Sequence, residues 1–361
     1  MLQTGLYDLH VALQARMVAF SGWLMPVQYA AGPIKEHMAV RRVGGLFDVS
    51  HMARFELRGS GVADFLLRVL TRSVARRKPG DAVYSLMTYS DGSVIDDLIA
   101  VRKEEGWLLV ANAVNRNKDL EWLRQQASGQ EVDIVDVTEQ TSMLAIQGPD
   151  AVRLVSSVLG IDAGNLRRFK ARTAIWESKS VLMTRTGYTG EDGFELVLPR
   201  IEGGSLFQHL LEAGRPRGWL PCGLAARDSL RLEACLPLYG HEISQDINPV
   251  EAELTWAVSF RNPRFIGRDA LLKAWLEPPT RRLCAFRMED KGVPRAGYAV
   301  YDQDRRIGMV TSGNKSPTLD QFIGMALCDA SATEMERFAV EIRGRRLSAL
   351  VVPKPFYSRP A

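Results

Sequence analysis

The sequence predicts an α+β protein of two or three domains whose C-terminal part is rich in strands. Residues 83–112 alternate apolar and polar positions between turn signals, as a three-stranded meander does. Apolar residues recur at helical spacing in S-G-V-A-D-F-L-L-R-V-L (60–70) and in L-A-A-R-D-S-L-R-L-E-A (224–234). Past the linker candidate Glu277-Pro278-Pro279-Thr280, only short strand-like segments and turns remain, the pattern of a small barrel or sandwich. A chain of 361 residues has room for two or three domains of roughly 150 residues and for a core that needs no staples.

Taken in order, residues 1–50 mix short helical and extended pieces. In the 60–70 helix, Val62, Phe65, Leu66 and Val69 share one face. The meander divides into strands 83–89, 94–102 and 107–112, joined by Asp91-Gly92 and by a four-residue loop at 103–106. Pairing Arg102 with Trp107 across that loop sets Asp97 opposite Asn112. Pairing Ser90 with Ser93 across Asp91-Gly92 sets Asp97 opposite Leu86, which shares a face with Tyr84. Tyr84, Asp97 and Asn112 are therefore expected on one face of one sheet, and a slip of one residue would undo this. Segments 181–186 and 194–198 read as strands joined by the loop G-Y-T-G-E-D-G at 187–193. Ser205 is expected to cap a helix over 206–213. Arg227 and Arg231, four apart, share a face of the 224–234 helix. A last helix, 271–276, stops at the prolines.

Composition excludes several classes. Hydrophobic residues at 46 % and charged residues at 24 % rule out a disordered chain. No apolar run reaches ~18 residues, so no membrane-spanning helix is expected. The first residues carry neither a basic start nor a long apolar run, so no secretory signal is expected. The four cysteines, Cys222, Cys235, Cys284 and Cys328, form no C-x-x-C and read as reduced, buried thiols. The five histidines show no metal-binding spacing, so no metal is expected. The net charge of +4 comes in small clusters: Arg72 with Arg76, Arg77 and Lys78; Arg167, Arg168, Lys170 and Arg172; Arg343, Arg345 and Arg346. None is interleaved with aromatic residues, so no nucleic acid is expected, whereas an anionic ligand or an acidic protein partner suits the charge.

Three places could carry chemistry. In Asp96-Asp97 the side chains point to opposite faces of a strand, so they are no close acid pair; one faces a cleft and the other solvent or a structural partner. A carboxylate among Tyr and Asn on an apolar face must be paired or functional. The second place is Glu195, after a loop with three glycines that is neither a dinucleotide fingerprint nor a phosphate loop. Its carboxylate suits two N–H donors of a planar heterocycle. The third is Arg227, beside Asp228: either half of an ion pair or a guanidinium that orients an anionic or carbonyl-bearing ligand. No nucleophile motif is present. The residues alone describe a multi-domain protein with a candidate pocket for a small polar heterocycle.

Further motifs, taken in order, are specific as a set: S-G-W-L-M-P-V-Q-Y (21–29), G-L-F-D-V-S-H-M (45–52), I-D-D-L-I (95–99), A-I-Q-G-P (145–149), R-T-G-Y-T-G-E-D-G-F-E-L (185–196), L-Y-G-H-E-I (238–243), N-P-V-E-A-E-L-T-W (248–256), T-S-G-N-K-S-P-T-L (311–319) and P-F-Y (355–357). From Leu6 to about Tyr357 the chain resembles the aminomethyltransferases, the T-proteins of the glycine cleavage system. The resemblance implies a three-domain cloverleaf: 1–50 plus 138–245 as a discontinuous first domain, 51–137 as the second with the Asp97 meander, 246–280 connecting, and 281–361 as a β-rich barrel or jelly roll. It implies tetrahydrofolate as co-substrate, Asp97 as the key acid, Glu195 as the pterin-binding carboxylate and Arg227 as a folate contact. Tyr84, Asn112 and Tyr188 match positions that line the folate site. A C-terminal aromatic contact falls on Phe356-Tyr357, and Tyr357 is chosen. The sequence departs from the family at Gln14, where glycine is common, and at Phe169, where tyrosine can occur.

The implied reaction moves the one-carbon unit of an aminomethyl-dihydrolipoyl group, carried by lipoylated H-protein, onto tetrahydrofolate, releasing ammonia and forming 5,10-methylenetetrahydrofolate. No metal takes part, and the expected setting is a bacterial cytoplasm, or a mitochondrial matrix for a processed eukaryotic protein. Two rival readings share the fold. A folate-dependent demethylase is separated by assay with the lipoyl protein; an oxidase would need a flavin domain, and the chain has no G-x-G-x-x-G. A non-catalytic folate-binding protein carries K-G-C-Y-x-G-Q-E, where this chain has T-G-Y-T-G-E-D-G-F-E.

Overall fold

The computed structural model describes residues 1–360. Two compact units emerge: residues 1–66, 74–84 and 98–228 form the first, and 67–73, 85–97 and the described residues from 229 onward the second.

The first unit is organised by a six-stranded sheet in the order Ala171–Trp176, Lys179–Thr184, Gly193–Pro199, Thr141–Gln147, Gly45–Asp48 and Leu220–Pro221. Neighbours run antiparallel except the last pair, which is parallel. Register across the centre places Phe47, Ala145 and Glu195 in one row. The helices Ala151–Leu159 and Gly203–Gly214 share one core with this sheet, through Leu154, Val155, Leu206, Phe207 and Leu210 against Leu46, Leu144, Phe194 and Leu196. The second helix starts earlier than expected, at Gly203, so Ser205 lies inside it and is no cap. A 3-10 turn over Arg200–Glu202 leads straight into the helix. Gly203 is required there, because a Cβ would sit 2.3 Å from Ser142 Oγ.

A five-stranded sheet follows the order Ala82–Thr88, Val94–Arg102, Trp107–Ala111, Ala53–Arg58, Asp133–Asp136; its first two strands run on from one unit into the other. The ladder from Arg102↔Trp107 to Leu98↔Ala111 has the expected register. The preceding turn does not. Tyr89 N–H donates to Ser93 O (2.9 Å) and Gly92 N–H to Tyr89 O (3.0 Å), so Tyr89, not Ser90, pairs with Ser93, and this one-residue slip removes the ground on which Tyr84 was expected to share the Asp97 face. Only Gly92, at φ +85°, takes the left-handed region, whereas a two-residue loop of the expected kind would need Asp91 there as well. The helix Val62–Val69 buries the predicted face, Val62, Phe65, Leu66 and Val69.

In the second unit the helix Arg268–Leu276 ends before Pro278 and Pro279, which cannot continue it, and the chain enters a closed antiparallel barrel. Barrel order is Arg281–Met288, Gln321–Asp329, Arg305–Ser316, Ala299–Asp302, Arg337–Ile342, Arg345–Val352. Of the two expected forms it is the barrel. Phe286 and Phe338 meet edge to face inside it (5.2 Å), with Val300, Val310 and Val340 around them. Cys284 and Cys328, distant in sequence, face each other at 3.9 Å as free thiols.

The border between the units falls within the helix Leu224–Glu233, after Asp228. Its last turn is tied into the second unit by buried polar groups. Arg231 pairs with Glu242 (3.0 Å) and donates to Ser312 Oγ (2.8 Å), while Thr311 Oγ1 donates to Glu242 (2.6 Å). Glu233 accepts from Ser316 Oγ (2.5 Å), Thr318 N–H (3.1 Å) and Thr318 Oγ1 (2.7 Å). The motifs at 238–243 and 311–319 thus have a structural role.

Gln14 follows the helix Tyr7–Ala12 at φ +57°. Gln14 N–H donates to Val11 O and Ala15 N–H to His10 O (both 2.9 Å), the helix ending that favours glycine. Gln14→Gly is expected to stabilise the fold by about 0.5–1 kcal/mol, read as a higher urea midpoint.

Candidate functional site

The site is built at one end of the six-stranded sheet. Asp48 closes the strand Gly45–Asp48 and is fully buried. It accepts from Thr4 Oγ1 (2.7 Å) and Ser50 N–H (2.8 Å) and pairs with His10 Nε2 (2.9 Å), whose Nδ1 meets the Tyr29 hydroxyl (2.9 Å). Burial would push this carboxyl up, but the hydrogen bond and charge of His10, with Ser50 and Thr4, bring it to about 2. The next turn is clamped by Arg54, which is buried and donates to Ser50 O (3.0 Å), Met52 O (2.6 Å), Thr138 O (2.5 Å) and Thr141 Oγ1 (2.7 Å). Burial lowers this guanidinium to about 10, so it stays cationic at neutral pH.

Glu195 lies three residues into its strand, level with Phe47. Thr186 Oγ1 donates to Glu195 Oε2 (2.5 Å) and meets Thr184 Oγ1 (2.6 Å). Glu195 keeps some accessible surface, yet burial raises its carboxyl; the Thr186 hydrogen bond and the Arg227 charge only partly oppose this. The loop before it is held by protein contacts. Gln147 donates to Thr186 O (3.1 Å) and accepts from Thr189 Oγ1 (2.9 Å), and Arg41 bonds Thr189 O (2.7 Å) and Glu191 (2.9 Å). The loop glycines therefore serve this packing: a Cβ on Gly187 would meet Gln147 at 1.9 Å.

Leu220–Pro221 runs parallel to Gly45–Asp48, and the helix that begins at Leu224 leaves from the same sheet end. One turn along it, the Arg227 guanidinium lies 4.7 Å above the Tyr188 ring centroid. Burial lowers its pKa, and the charges of Tyr188 and Glu195 oppose that shift. Tyr188, Glu195 and Arg227, singled out in the sequence, are thus brought together, with Thr186 as an unforeseen fourth member.

Tyr84 and Asn112 belong to the same unit, half-buried in Ala82–Thr88 and just after Trp107–Ala111. Asp97 and Tyr357 belong to the second unit. Asp97 is half-buried, whereas Asp96 is 0 % exposed, so of the two it is Asp97 that keeps open surface. Phe356 packs on Leu232, Leu283, Ile323 and Met325, and Tyr357 N–H donates to Glu233 O (2.9 Å). Phe169 takes φ +56°, its backbone held by Arg185 O (3.1 Å) and Ala82 N–H (3.0 Å). Among the described residues no group of three or more His, Cys, Asp or Glu is arranged to hold a metal, and no helix is long and apolar enough to cross a membrane.

A carboxylate, a guanidinium and an aromatic ring converge at a sheet end of an α+β chain that also carries a six-stranded barrel, and together they mark a candidate site for a small polar ligand. Comparison with known proteins narrows the class. Residues 6–262 match the family model of the GCVT N-terminal domain, and residues 281–358 that of the glycine cleavage T-protein C-terminal barrel domain. An aminomethyltransferase of Geobacillus kaustophilus is 45 % identical over 99 % of both chains, and one of Desulforamulus reducens is 41 % identical over 99 % of this chain and 98 % of its own. The crystal structure of glycine cleavage system aminomethyltransferase T from Bartonella henselae superposes with a TM-score of 0.92 at 34 % identity, covering 99 % of this chain and 98 % of that one. The chain belongs to the aminomethyltransferase, or glycine cleavage T-protein, family.

Asp48 supplies a pH-dependent part of stability. Its folded pKa, about 2, lies below the ordinary 3.8, so its contribution is complete above about pH 4 and lost as the pH falls towards 2. Asp48→Asn should cost about 2 kcal/mol or more at pH 7, with the gap to wild type closing on the acid limb of urea unfolding measured across pH.

Proposed function

We propose that Tyr188, Glu195 and Arg227 hold tetrahydrofolate and that Asp97 acts on the charge that develops during transfer. The chain is a tetrahydrofolate-dependent aminomethyltransferase of glycine cleavage, and the donor proposed is the aminomethyl-dihydrolipoyl arm of H-protein. The observation that carries the assignment is the convergence of Glu195, its carboxyl raised by burial, with Arg227 stacked on Tyr188. A carboxylate in that setting suits the N–H edge of a pterin, and a guanidinium suits a carbonyl or carboxylate of the same ligand.

The bookkeeping of the reaction is simple. The transferred carbon lies between sulfur and nitrogen. Its C–S and C–N bonds break, and two C–N bonds to the folate amines form. The two folate N–H protons end on the dihydrolipoyl thiol and on ammonia. Carbon passes through an iminium-like state, which a nearby carboxylate stabilises by charge and by orienting the amines. Asp97 takes that role, with Tyr84, Asn112 and Tyr357 completing the proposed folate lining. The three-domain division expected from the family and a bacterial cytoplasmic setting belong to the same proposal. The demethylase and non-catalytic readings are not favoured.

Asp97→Asn should keep tetrahydrofolate affinity within a few-fold and lose most turnover with aminomethylated H-protein. Asp96, fully buried, is no neutral control, and Glu104→Gln on an exposed loop serves instead. Glu195→Gln turns an acceptor into a donor facing a donor. Calorimetry should find tetrahydrofolate binding weaker by about 1–3 kcal/mol.

Charge should act on docking of the acidic carrier. Lys170 is paired with Asp81 and Arg346 with Asp304, whereas Arg76, Arg167 and Arg168 are exposed. Stopped-flow association with H-protein should slow as salt rises from about 0.1 M to 1 M, where the screening length drops from about 10 Å to 3 Å, with folate affinity nearly constant. A flat association rate would remove the steering role.

A further inference from the structure

His51 stands three residues past Asp48, next to Ser50 whose N–H bonds that carboxylate, and it is 2 % exposed. Its Nδ1 is buried without a hydrogen-bond partner. The ring meets Phe20 edge to face (5.5 Å). Both flanking peptides are pinned: Ser50 N–H to Asp48 (2.8 Å), Ser50 Oγ to Met143 O (3.3 Å) with Met143 N–H returning (2.9 Å), Met52 N–H to Val49 O (3.0 Å), and Arg54 on the carbonyls of Ser50 and Met52. The backbone that carries the ring is thus fixed, and the ring itself packs on Phe20. If its nitrogen did nothing, phenylalanine would serve better beside Phe20, because a buried polar atom left unmade is costly.

The position matters as much as the burial. The turn leaves the C-terminal end of Gly45–Asp48, and the Arg227 helix leaves the same end of the parallel neighbour Leu220–Pro221. The charged groups that bear on the ring are Arg227, Asp48 and Arg54; burial first, then Arg227, lower its pKa to about 3, so it is neutral at any working pH. A neutral imidazole can donate or accept without adding positive charge beside a carbon that becomes iminium-like.

We propose that His51 is a further ligand-binding residue of this site, presenting Nδ1 to a polar group of bound tetrahydrofolate next to Arg227. The proposal rests on the reading of this sheet end, with Arg227, as the folate site.

The test uses the full-length protein. With only five histidines in the chain, imidazole nitrogen resonances of labelled wild type can be followed, that of His51 being assigned by its loss in His51→Gln. Saturation with tetrahydrofolate should move the Nδ1 resonance; an unmoved resonance overturns the proposal and leaves a resident water as its partner. His51→Phe, which keeps the ring packing, should leave the melting temperature of the ligand-free protein unchanged or higher, raise the tetrahydrofolate dissociation constant roughly tenfold, and change kcat at saturating folate much less. Wild-type affinity in that variant overturns the proposal, and the wild-type titration decides alone if the variant does not fold. Glu195→Gln runs in parallel. If it binds normally while His51→Phe binds weakly, the Glu195 assignment fails and His51 stands; the reverse result removes His51 and keeps the folate site.

Discussion

Burying an ionised carboxylate at the end of Gly45–Asp48 is the constraint on which the first unit depends. Left unpaired, such a charge costs several kcal/mol, and it is tolerated only when its oxygens are filled with donors. Asp48 draws them from three directions: Thr4 and His10 from the N-terminal segment, and Ser50 from the turn that follows. Tyr29 completes the set through His10. The N-terminal helix, the central strand and the His51 turn are thereby locked to one another. The same device recurs nearby: Glu36 accepts the N–H groups of Tyr29 (2.6 Å) and Gly223 (2.9 Å), fixing the start of the Arg227 helix to the helix Pro33–Arg42.

The proposed function draws on what this frame leaves unsatisfied. Asp48 and Glu36 have both oxygens filled. Glu195 has one hydroxyl donor, a raised pKa and accessible surface. Arg227 rests on an aromatic face, where a planar guanidinium remains available to a ligand. A site of this kind positions a ligand and places charges beside it; it contains no activated nucleophile, in keeping with a transfer in which the folate amines do the attacking.

Much of this was legible in the sequence. The period-two pattern and loop length gave the Arg102↔Trp107 register, and the apolar spacing gave the buried face of Val62–Val69. The prolines marked the entry to the barrel. Local signals misled where tertiary context decided. Asp91-Gly92 suggested a two-residue loop but sits in a three-residue one, and Ser205 had the look of a cap but lies inside its helix. Of the residues that went unseen, Asp48 draws on Thr4 and His10, 44 and 38 residues away, and no spacing rule encodes those partners, whereas Thr186 meets Glu195 only nine residues on, across the 187–193 loop. Gln14 is a milder case: its departure from glycine was visible, and only the backbone reveals that it bears a left-handed conformation.

The most direct measurement is a crystal structure of the protein with tetrahydrofolate bound. The account predicts the N–H edge of the pterin within hydrogen-bond distance of Glu195, with Arg227 still stacked on Tyr188 and turned to the ligand. A folate bound elsewhere, with Glu195 bonded to Thr186 alone, would contradict it.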